Sequence, residues 1–164
     1  MKFKTNLPQN KKEFILFLMV VSILSVNIIA PLIMWLEFGF TKEVYLSAFQ
    51  TMPFIWLSVI LLVPLIVEPL ASKFVSLFSD KHDGFNSKIL FNVLFSVLIL
   101  SIILTTIAPW IALREISIES FQTFFLRWPK NFFIAFWIEL LIAQPIARFV
   151  MIKLHSSTKT VKAS

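Results

Sequence analysis

Four long apolar runs constrain what this chain can fold into more than any other feature. They cover 14–36, 52–78, 88–113 and 128–154 of the 164 residues. Each run reaches or exceeds the roughly 20 residues that a helix needs to cross the hydrocarbon core of a bilayer. None alternates as barrel strands do, and a segment in lipid must satisfy its own backbone hydrogen bonds. The runs therefore predict an all-α integral membrane protein with four transmembrane helices.

The chain also carries an internal repeat. Three sets of residues return in the second half: Ile29-Ala30-Pro31 as Ile107-Ala108-Pro109, Phe49-Gln50-Thr51 as Phe121-Gln122-Thr123, and Pro53 with Pro69 as Pro129 with Pro145. We therefore divide the chain into a tail (1–13), a first helix pair (14–78), a turn (79–88), a second helix pair (89–154) and a tail (155–164). Both copies begin on the same side, so they are predicted to be parallel repeats about an axis along the membrane normal. The second and fourth spans are expected to face each other across that axis.

Composition excludes several classes of protein. Hydrophobic residues make up 58% of the chain, against roughly 45–50% in soluble domains. Cysteine is absent, which excludes disulfides, thiolate metal sites and cysteine nucleophiles. The formal charge of +6 lies in tails and loops, which argues against nucleic acid as a partner and for the headgroups of a lipid bilayer.

The distribution of Lys and Arg predicts the topology. One side carries eleven of them: Lys2, Lys4, Lys11, Lys12, Lys73, Lys81, Lys88, Arg148, Lys153, Lys159 and Lys162. The other side carries four: Lys42, Arg114, Arg127 and Lys130. The positive-inside rule then places both termini in the cytoplasm of a cell with an inner membrane. The first apolar run is too long for a signal peptide and is predicted to be an uncleaved span. Four tryptophans at the opposite side are expected to form an interfacial belt: Trp35, Trp56, Trp110 and Trp128.

The outer links leave two alternatives open. Residues 37–51 and 114–127 carry apolar side chains at helical spacing, so each link is either a short interfacial helix or a loop against the bundle. Pro53 and Pro129 suit the first turn of the helices that follow. Five further prolines lie within the spans and are expected to bend them: Pro31, Pro64, Pro69, Pro109 and Pro145.

One stretch, 125–150, resembles a known signature. The matching residues are Trp128, Lys130, Asn131, Ile134, Ala135, Phe136, Ile142, Ala143, Pro145 and Arg148, with a weaker match at Met52, Pro53, Pro69, Ala71 and Lys73. This pattern is similar to the bacterial two-helix membrane family called domain of unknown function 2798. The chain departs from it with Trp137 and Glu139, where the family tends to have Pro and Ala. The resemblance implies a tandem of two helix pairs and no particular activity.

Glu68 and Glu139 are the two carboxylates well inside predicted spans. An ionisable group in a bilayer costs about 2.5–3.5 kcal/mol on insertion scales, so such residues usually have a function. One hypothesis is that one or both bind and release protons, or bind a lipophilic cation. The alternative is a neutral acid that hydrogen-bonds a neighbouring helix and only holds the spans together.

Neighbours of these carboxylates complete the set of candidate proton- or substrate-binding residues. Gln144 is the repeat equivalent of Glu68 and is expected to reach it across the axis. Arg148, one turn further, either pairs with Glu68 or extends to the headgroups, and we favour the headgroups. Glu139 lies five residues before Gln144 and is expected to point away from it. Its partner is expected among polar residues of the first and third spans: Asn27, Thr105 and Thr106.

No motif of an enzyme or a cofactor site is present. The sequence lacks a glycine-rich phosphate loop, a nucleophile with a base, and a zinc motif. His82 with Asp80 and Asp83 matches no metal-site spacing and is predicted to lie in a solvated turn. The leading hypothesis is a small proton-coupled transporter or efflux-type protein for an unidentified small molecule, as a homodimer if four spans cannot enclose a path. The alternative is a non-transporting membrane module that binds a partner protein or lipid.

Overall fold

The computed structural model describes residues 7–79 and 84–161, so the turn predicted around His82 lies outside the described residues. The described chain is all-helical. Its helices are α1 (Lys11–Phe38), α2 (Lys42–Leu62), α3 (Glu68–Phe78), α4 (Phe85–Leu113), α5 (Glu119–Gln122), α6 (Phe124–Ile138) and α7 (Gln144–Val161). Two π-helical turns, Val63–Val67 and Glu139–Ala143, join α2 to α3 and α6 to α7. The all-α prediction is confirmed for this part of the chain.

Four of the described helical stretches are long and apolar enough to cross a membrane. They are the first span (Lys11–Phe38), the second (Lys42–Phe78), the third (Asn86–Ala112) and the fourth (Phe124–Ser156). Their outward faces are apolar: Leu65, Phe125 and Leu126 are 72%, 79% and 83% exposed. Soluble monomers rarely expose contiguous apolar patches larger than a few hundred Å². These faces therefore fit an apolar surrounding, as the four predicted runs require.

Side-chain caps and one glycine define the first hairpin. The Asn10 side chain accepts from the Glu13 backbone N–H at 2.9 Å, and Thr41 accepts from the Val44 N–H at 3.3 Å. Gly39 ends α1 with φ at +95°, a conformation that residues with a Cβ rarely adopt. The chain therefore reverses between Phe38 and Lys42, and the first two spans lie side by side.

The first outer link is shorter than predicted. α2 begins at Lys42, so residues 44–49 form the first turns of the second span instead of a separate element. Pro53 lies inside α2 and Pro129 inside α6, so neither occupies the first helical turn that was predicted for it. The physical reason is that Thr41 caps the helix ten residues before the apolar run, and helical spacing continues from there. The second outer link, between α4 and α6, contains one short helix, α5.

The four spans form a ring. The first span contacts the second and the fourth, and the third span also contacts the second and the fourth. Within the described residues, the Cα atoms of the first and third spans stay more than 8 Å apart, and so do those of the second and fourth. The second and fourth spans therefore do not meet as the repeat led us to expect. They lie on opposite sides of a cavity, described below.

An indole–hydroxyl hydrogen bond ties each pair of spans together. Trp56 Nε1 donates to Ser22 Oγ at 3.0 Å, and Trp128 Nε1 donates to Ser101 Oγ at 3.0 Å. Both serines are buried. A buried polar group without a partner costs about 1–3 kcal/mol, so these bonds favour one register within each pair. Both indoles are half-buried and reach a neighbouring span, while the interfacial belt predicted for them stays a prediction.

Two buried clusters complete the packing. One lies mainly between the first and second spans and contains Val26, Ala48, Met52, Ile55 and Val59. The other joins the first span to the fourth through Val21, Ala143 and Ala147. Because both alanines are small and fully buried, the backbones of α1 and the fourth span approach closely there. This contact positions the polar residues of the fourth span against α1.

Candidate functional site

A central cavity of about 1020 Å³ lies inside the ring of spans. Its wall includes residues of the first span from Phe14 to Phe38 and of the third from Lys88 to Ala112. At 1.5 Å per residue each stretch is about 36 Å long, close to the roughly 30 Å of a hydrocarbon core. The cavity, which we call the lumen, therefore follows the bundle along its length. Its terminal end is where α1 begins and α7 ends, and its far end is where α1 meets α2.

The structure brings four of the five candidate residues to this lumen. Glu68, Glu139, Gln144 and Arg148 all line it. Asn27 does not line it: its side chain is exposed and donates to the Ile23 carbonyl of its own helix at 2.7 Å. The physical reason is the helical period, because residues two apart lie about 200° apart around the axis. Ser25, two residues before Asn27, faces the lumen in its place.

Glu139 is held by residues from two spans. The Ser25 hydroxyl of α1 donates to one carboxyl oxygen, and Gln144 Nε2 donates to the other at 3.3 Å. Arg148 Nη2 in turn donates to Gln144 Oε1 at 3.3 Å. A guanidinium can only donate, so the Gln144 carbonyl must face Arg148 and its N–H groups must face Glu139. The Gln144 amide thus bridges the carboxyl and the guanidinium.

The π turn makes this bridge geometrically accessible. The backbone N–H of Gln144 bonds to the Glu139 carbonyl, five residues back. In a regular α-helix, residues five apart lie about 140° apart, which is why the sequence predicted that Glu139 points away from Gln144. The π turn takes about five residues instead of 3.6, so Glu139 and Gln144 lie on nearly the same face of the helix. Pro145 favours this distortion, because its ring would collide with the Leu141 carbonyl in a regular α-helix.

The second span contains the same local structure. The backbone N–H of Glu68 bonds to the Val63 carbonyl, and Pro69 follows. Glu68 and Gln144 therefore each occupy the position between a π turn and a proline. The equivalence of these two residues, predicted from the prolines, extends to the local backbone.

Glu68 lies on a different wall of the lumen from Glu139. It is partly buried and lies near Asn92 of the third span. Across the described ranges, no ion pair joins Glu68 to Arg148, and Gln144 bonds to Glu139 and Arg148 instead. The contacts predicted between Glu68 and the fourth span are therefore not formed, because the lumen separates the second span from the fourth.

Charged residues also bridge two spans at the far end. Glu37 of α1 lies 4.0 Å from Arg127 Nη1 and 3.8 Å from Lys130 Nζ, both on α6. The Glu37 side chain is only 12% exposed. Glu37 and Arg127 line the lumen, so this cluster stands at its far end.

Three buried polar atoms on the lumen wall have no hydrogen-bond partner in the described part of the chain. They are Glu37 Oε1, Asn131 Oδ1 and Arg148 Nε. The amide nitrogen of Asn131 donates to Thr105 Oγ1 at 3.4 Å, so only the amide oxygen lacks a partner. A buried donor or acceptor without a hydrogen bond costs about 1–3 kcal/mol.

Sequence reasoning did not single out Ser25, Asn92 and Asn131 as lumen residues. A signal for the first two is present in the helical spacing of polar residues within apolar runs. Ser22 and Ser25 are three apart, and Asn92 and Ser96 are four apart. Residues three or four apart share one helix face, so these pairs indicate a polar stripe.

The described residues hold no group of three His, Asp or Glu that could bind a metal ion. The four long helices with apolar outward faces indicate a multi-pass helical membrane protein, here built around a lumen. No protein family, curated protein or solved structure matches the chain. The resemblance of residues 125–150 to the two-helix family therefore stays a prediction.

Proposed function

We propose that this protein is a small proton-coupled transporter or efflux-type protein of a bacterial inner membrane, and not an enzyme. One observation carries the proposal: Glu68 and Glu139 line a single lumen that follows the bundle along its length. Carboxyl groups within membrane spans commonly mark proton and substrate pathways. Two of them on different walls of one lumen can take up a proton on one side and release it on the other.

The proposed topology places the terminal end of the lumen in the cytoplasm. The excess of Lys and Arg at that end supports this orientation through the positive-inside rule. The proposed architecture is two parallel helix pairs, and the equivalent π turns before Glu68 and Gln144 support it. The ring of four spans surrounds the lumen within one chain, so the path does not require the homodimer that the sequence suggested.

The bridge through Gln144 provides a mechanism for coupling. An ionised Glu139 attracts the Gln144 N–H, and Gln144 holds Arg148. Protonation of Glu139 weakens its charge-assisted contacts with Gln144 and with Ser25 of α1, and so loosens the fourth span from α1. The π turn and Pro145 form a distorted segment, which is where a helix bends with least loss of hydrogen bonds. The second span has the same hinge before Glu68, so both spans can open the terminal end.

A cysteine-accessibility experiment tests the proposal directly, because the chain has no native cysteine. Ser25→Cys probes the lumen beside Glu139, and Ser96→Cys probes it one turn from Asn92. Asn27→Cys is the matched control, since Asn27 lies on α1 but outside the lumen. Each variant is labelled with a membrane-impermeant maleimide in right-side-out and in inverted vesicles.

We expect both lumen positions to react from both sides, with a proton gradient shifting which side reacts faster. Asn27→Cys should stay unlabelled in lipid. If Ser25→Cys and Ser96→Cys stay unlabelled from either side, the carboxyls are sealed in packing and the transporter proposal fails.

The second candidate function is a non-transporting module that binds a partner protein or lipid. One observation favours it: both oxygens of Glu139 already accept hydrogen bonds, as a purely structural group would. Under this alternative, loss of the carboxyls lowers the abundance of the protein in the membrane. The unaltered protein then shows no transport that the loss could reduce.

A further inference from the structure

We propose that the lumen binds an amphiphile with one anionic headgroup, specifically a free long-chain carboxylate, and that Arg148 binds the headgroup. This names the ligand class of the proposed transporter and rests on the proposed function for its place in a transport path. Binding itself is a property of the lumen and can be measured without flux.

Arg148 is the group on the lumen wall with the most unused hydrogen-bonding capacity. A guanidinium has five N–H donors. The structure uses Nη2 for Gln144, leaves Nη1 without a protein partner, and places no carboxylate of the described chain within ion-pair distance. Adjacent N–H groups of a guanidinium match the two oxygens of a carboxylate, so an anionic headgroup satisfies this side chain.

The charges around Arg148 also favour an anion. Lys88, at the start of the third span, lines the lumen at the same terminal end. Glu139 is separated from Arg148 by the Gln144 amide, and Glu68 lies near Asn92 on the wall formed by the second and third spans. Arg148 and Lys88 are thus two cationic side chains at one end of the lumen, and neither has a carboxylate partner among the described residues.

An organic cation is the ligand that the two carboxyls alone would suggest. The hydrogen bonds argue against it. Both oxygens of Glu139 already accept from protein groups. The group next to them is a donor, the Arg148 guanidinium, whose Nη1 has no protein partner among the described residues and needs an acceptor such as a carboxylate.

The remainder of the lumen fits an apolar chain. Beyond Arg148 most of the wall is apolar, with residues of several spans, among them Val21, Ile55, Val93 and Val97, beside the polar stripe. The volume of about 1020 Å³ lies at the upper end of the roughly 300–1,000 Å³ typical of small-molecule sites. Each methylene that such a wall removes from water raises the affinity about fourfold.

The test is equilibrium binding of radiolabelled dodecanoate to the full chain in nanodiscs of phosphatidylcholine. Dodecanol and dodecyltrimethylammonium are competitors with the same alkyl chain and a neutral or cationic headgroup. We expect saturable binding of dodecanoate, competition by dodecanol that is at least about tenfold weaker, and still weaker competition by the cation. Decanoate, two methylenes shorter, should bind roughly fifteenfold more weakly.

Variants then assign the headgroup to Arg148. Arg148→Gln should lower the affinity for dodecanoate at least about tenfold and leave the affinity for dodecanol unchanged, whereas Arg148→Lys should retain part of the preference. Lys88→Gln should cause a smaller loss. Lys73→Gln is the matched control, because Lys73 is an exposed lysine near the same end but outside the lumen. This variant should bind dodecanoate as tightly as the unaltered chain.

Several results would overturn the inference. They are equal binding of dodecanoate and dodecanol by the unaltered chain, tighter binding of the cation, or a full anion preference in Arg148→Gln. The headgroup comparison needs no variant, so a folding defect in Arg148→Gln does not prevent a decision. Displacement of dodecanoate by phosphatidylglycerol added to the nanodiscs would assign the site to a bilayer lipid and also overturn the proposal of a free carboxylate.

Failure of this inference and failure of the proposed function give different results. Dodecanoate binding with no flux across vesicles retains the ligand class and removes the transporter. Proton-driven flux with no preference for the anionic headgroup retains the transporter and removes the ligand class.

Discussion

Gln144 donates its side-chain N–H to the Glu139 carboxyl at 3.3 Å, although the two residues are five positions apart on one helical stretch. The π turn Glu139–Ala143 brings them onto one face, and Pro145 directly after it disfavours a regular α-helix. The same turn places Gln144 within reach of Arg148. One local distortion of the backbone therefore assembles a carboxyl, an amide and a guanidinium on the lumen wall.

Replacement of Gln144 tests the bridge. Gln144→Leu removes both hydrogen bonds and leaves Arg148 and one oxygen of Glu139 without a partner. We expect a loss of about 1–3 kcal/mol in the free energy of unfolding, because buried polar groups lose their hydrogen-bond partners. Thermal or denaturant unfolding in detergent measures it. Gln122→Leu, at an exposed position on α5, is the control and should change stability by less than about 0.5 kcal/mol. An equal effect of the two substitutions would contradict the bridge.

Replacement of the carboxyls separates transport from packing. In Glu68→Gln with Glu139→Gln, each side chain keeps its shape but cannot ionise. We expect proton uptake, followed with a pH-sensitive dye in proteoliposomes, to fall to the level of empty vesicles, while the amount of protein in the membrane stays normal. Glu115→Gln, exposed and outside the lumen, should keep full proton uptake. Reduced membrane abundance with no flux defect would instead identify the carboxyls as structural.

Replacement of the prolines tests the hinges. Pro145→Ala and Pro69→Ala restore the backbone N–H and remove the ring that disfavours an α-helix after each π turn. We expect a higher thermal midpoint together with slower transport, as in other cases where activity requires a distorted segment. Pro53→Ala, inside α2 and away from both π turns, should leave transport unchanged. Faster or unaltered transport in Pro145→Ala would rule out the hinge.

Replacement of the indoles tests the ties between spans. Trp56→Phe and Trp128→Phe keep an aromatic ring and remove the donor to Ser22 or Ser101. Each serine still donates to a carbonyl of its own helix, Met19 at 3.2 Å or Leu98 at 2.9 Å. We therefore expect a loss of only about 1 kcal/mol per substitution. The two sites share no partner, so the double variant should equal the sum within about 0.5 kcal/mol. Trp137→Phe, exposed and outside both ties, is the control.

The positions of the four spans were predictable because hydropathy is a local property. Each apolar run coincides with a helical stretch long enough to span a bilayer. The start of the second span was placed ten residues late, because Lys42 and Glu43 are polar and Thr41 was not taken as a cap. Local signals were thus sufficient for the number and type of the elements, and less so for their ends.

The composition of the site depended on the fold. A uniform helical period separates Glu139 from Gln144, and the π turn cancels that separation. The same period explains why Ser25 and not Asn27 reaches Glu139. The apolar runs and the prolines are local features of the sequence, so the sequence alone determined the helices and their length, and it predicts the equivalence of Glu68 with Gln144. The ring of spans, the lumen and the lack of an ion-pair partner for Arg148 among the described residues result from packing between residues far apart in the chain. No local sequence pattern predicts such packing.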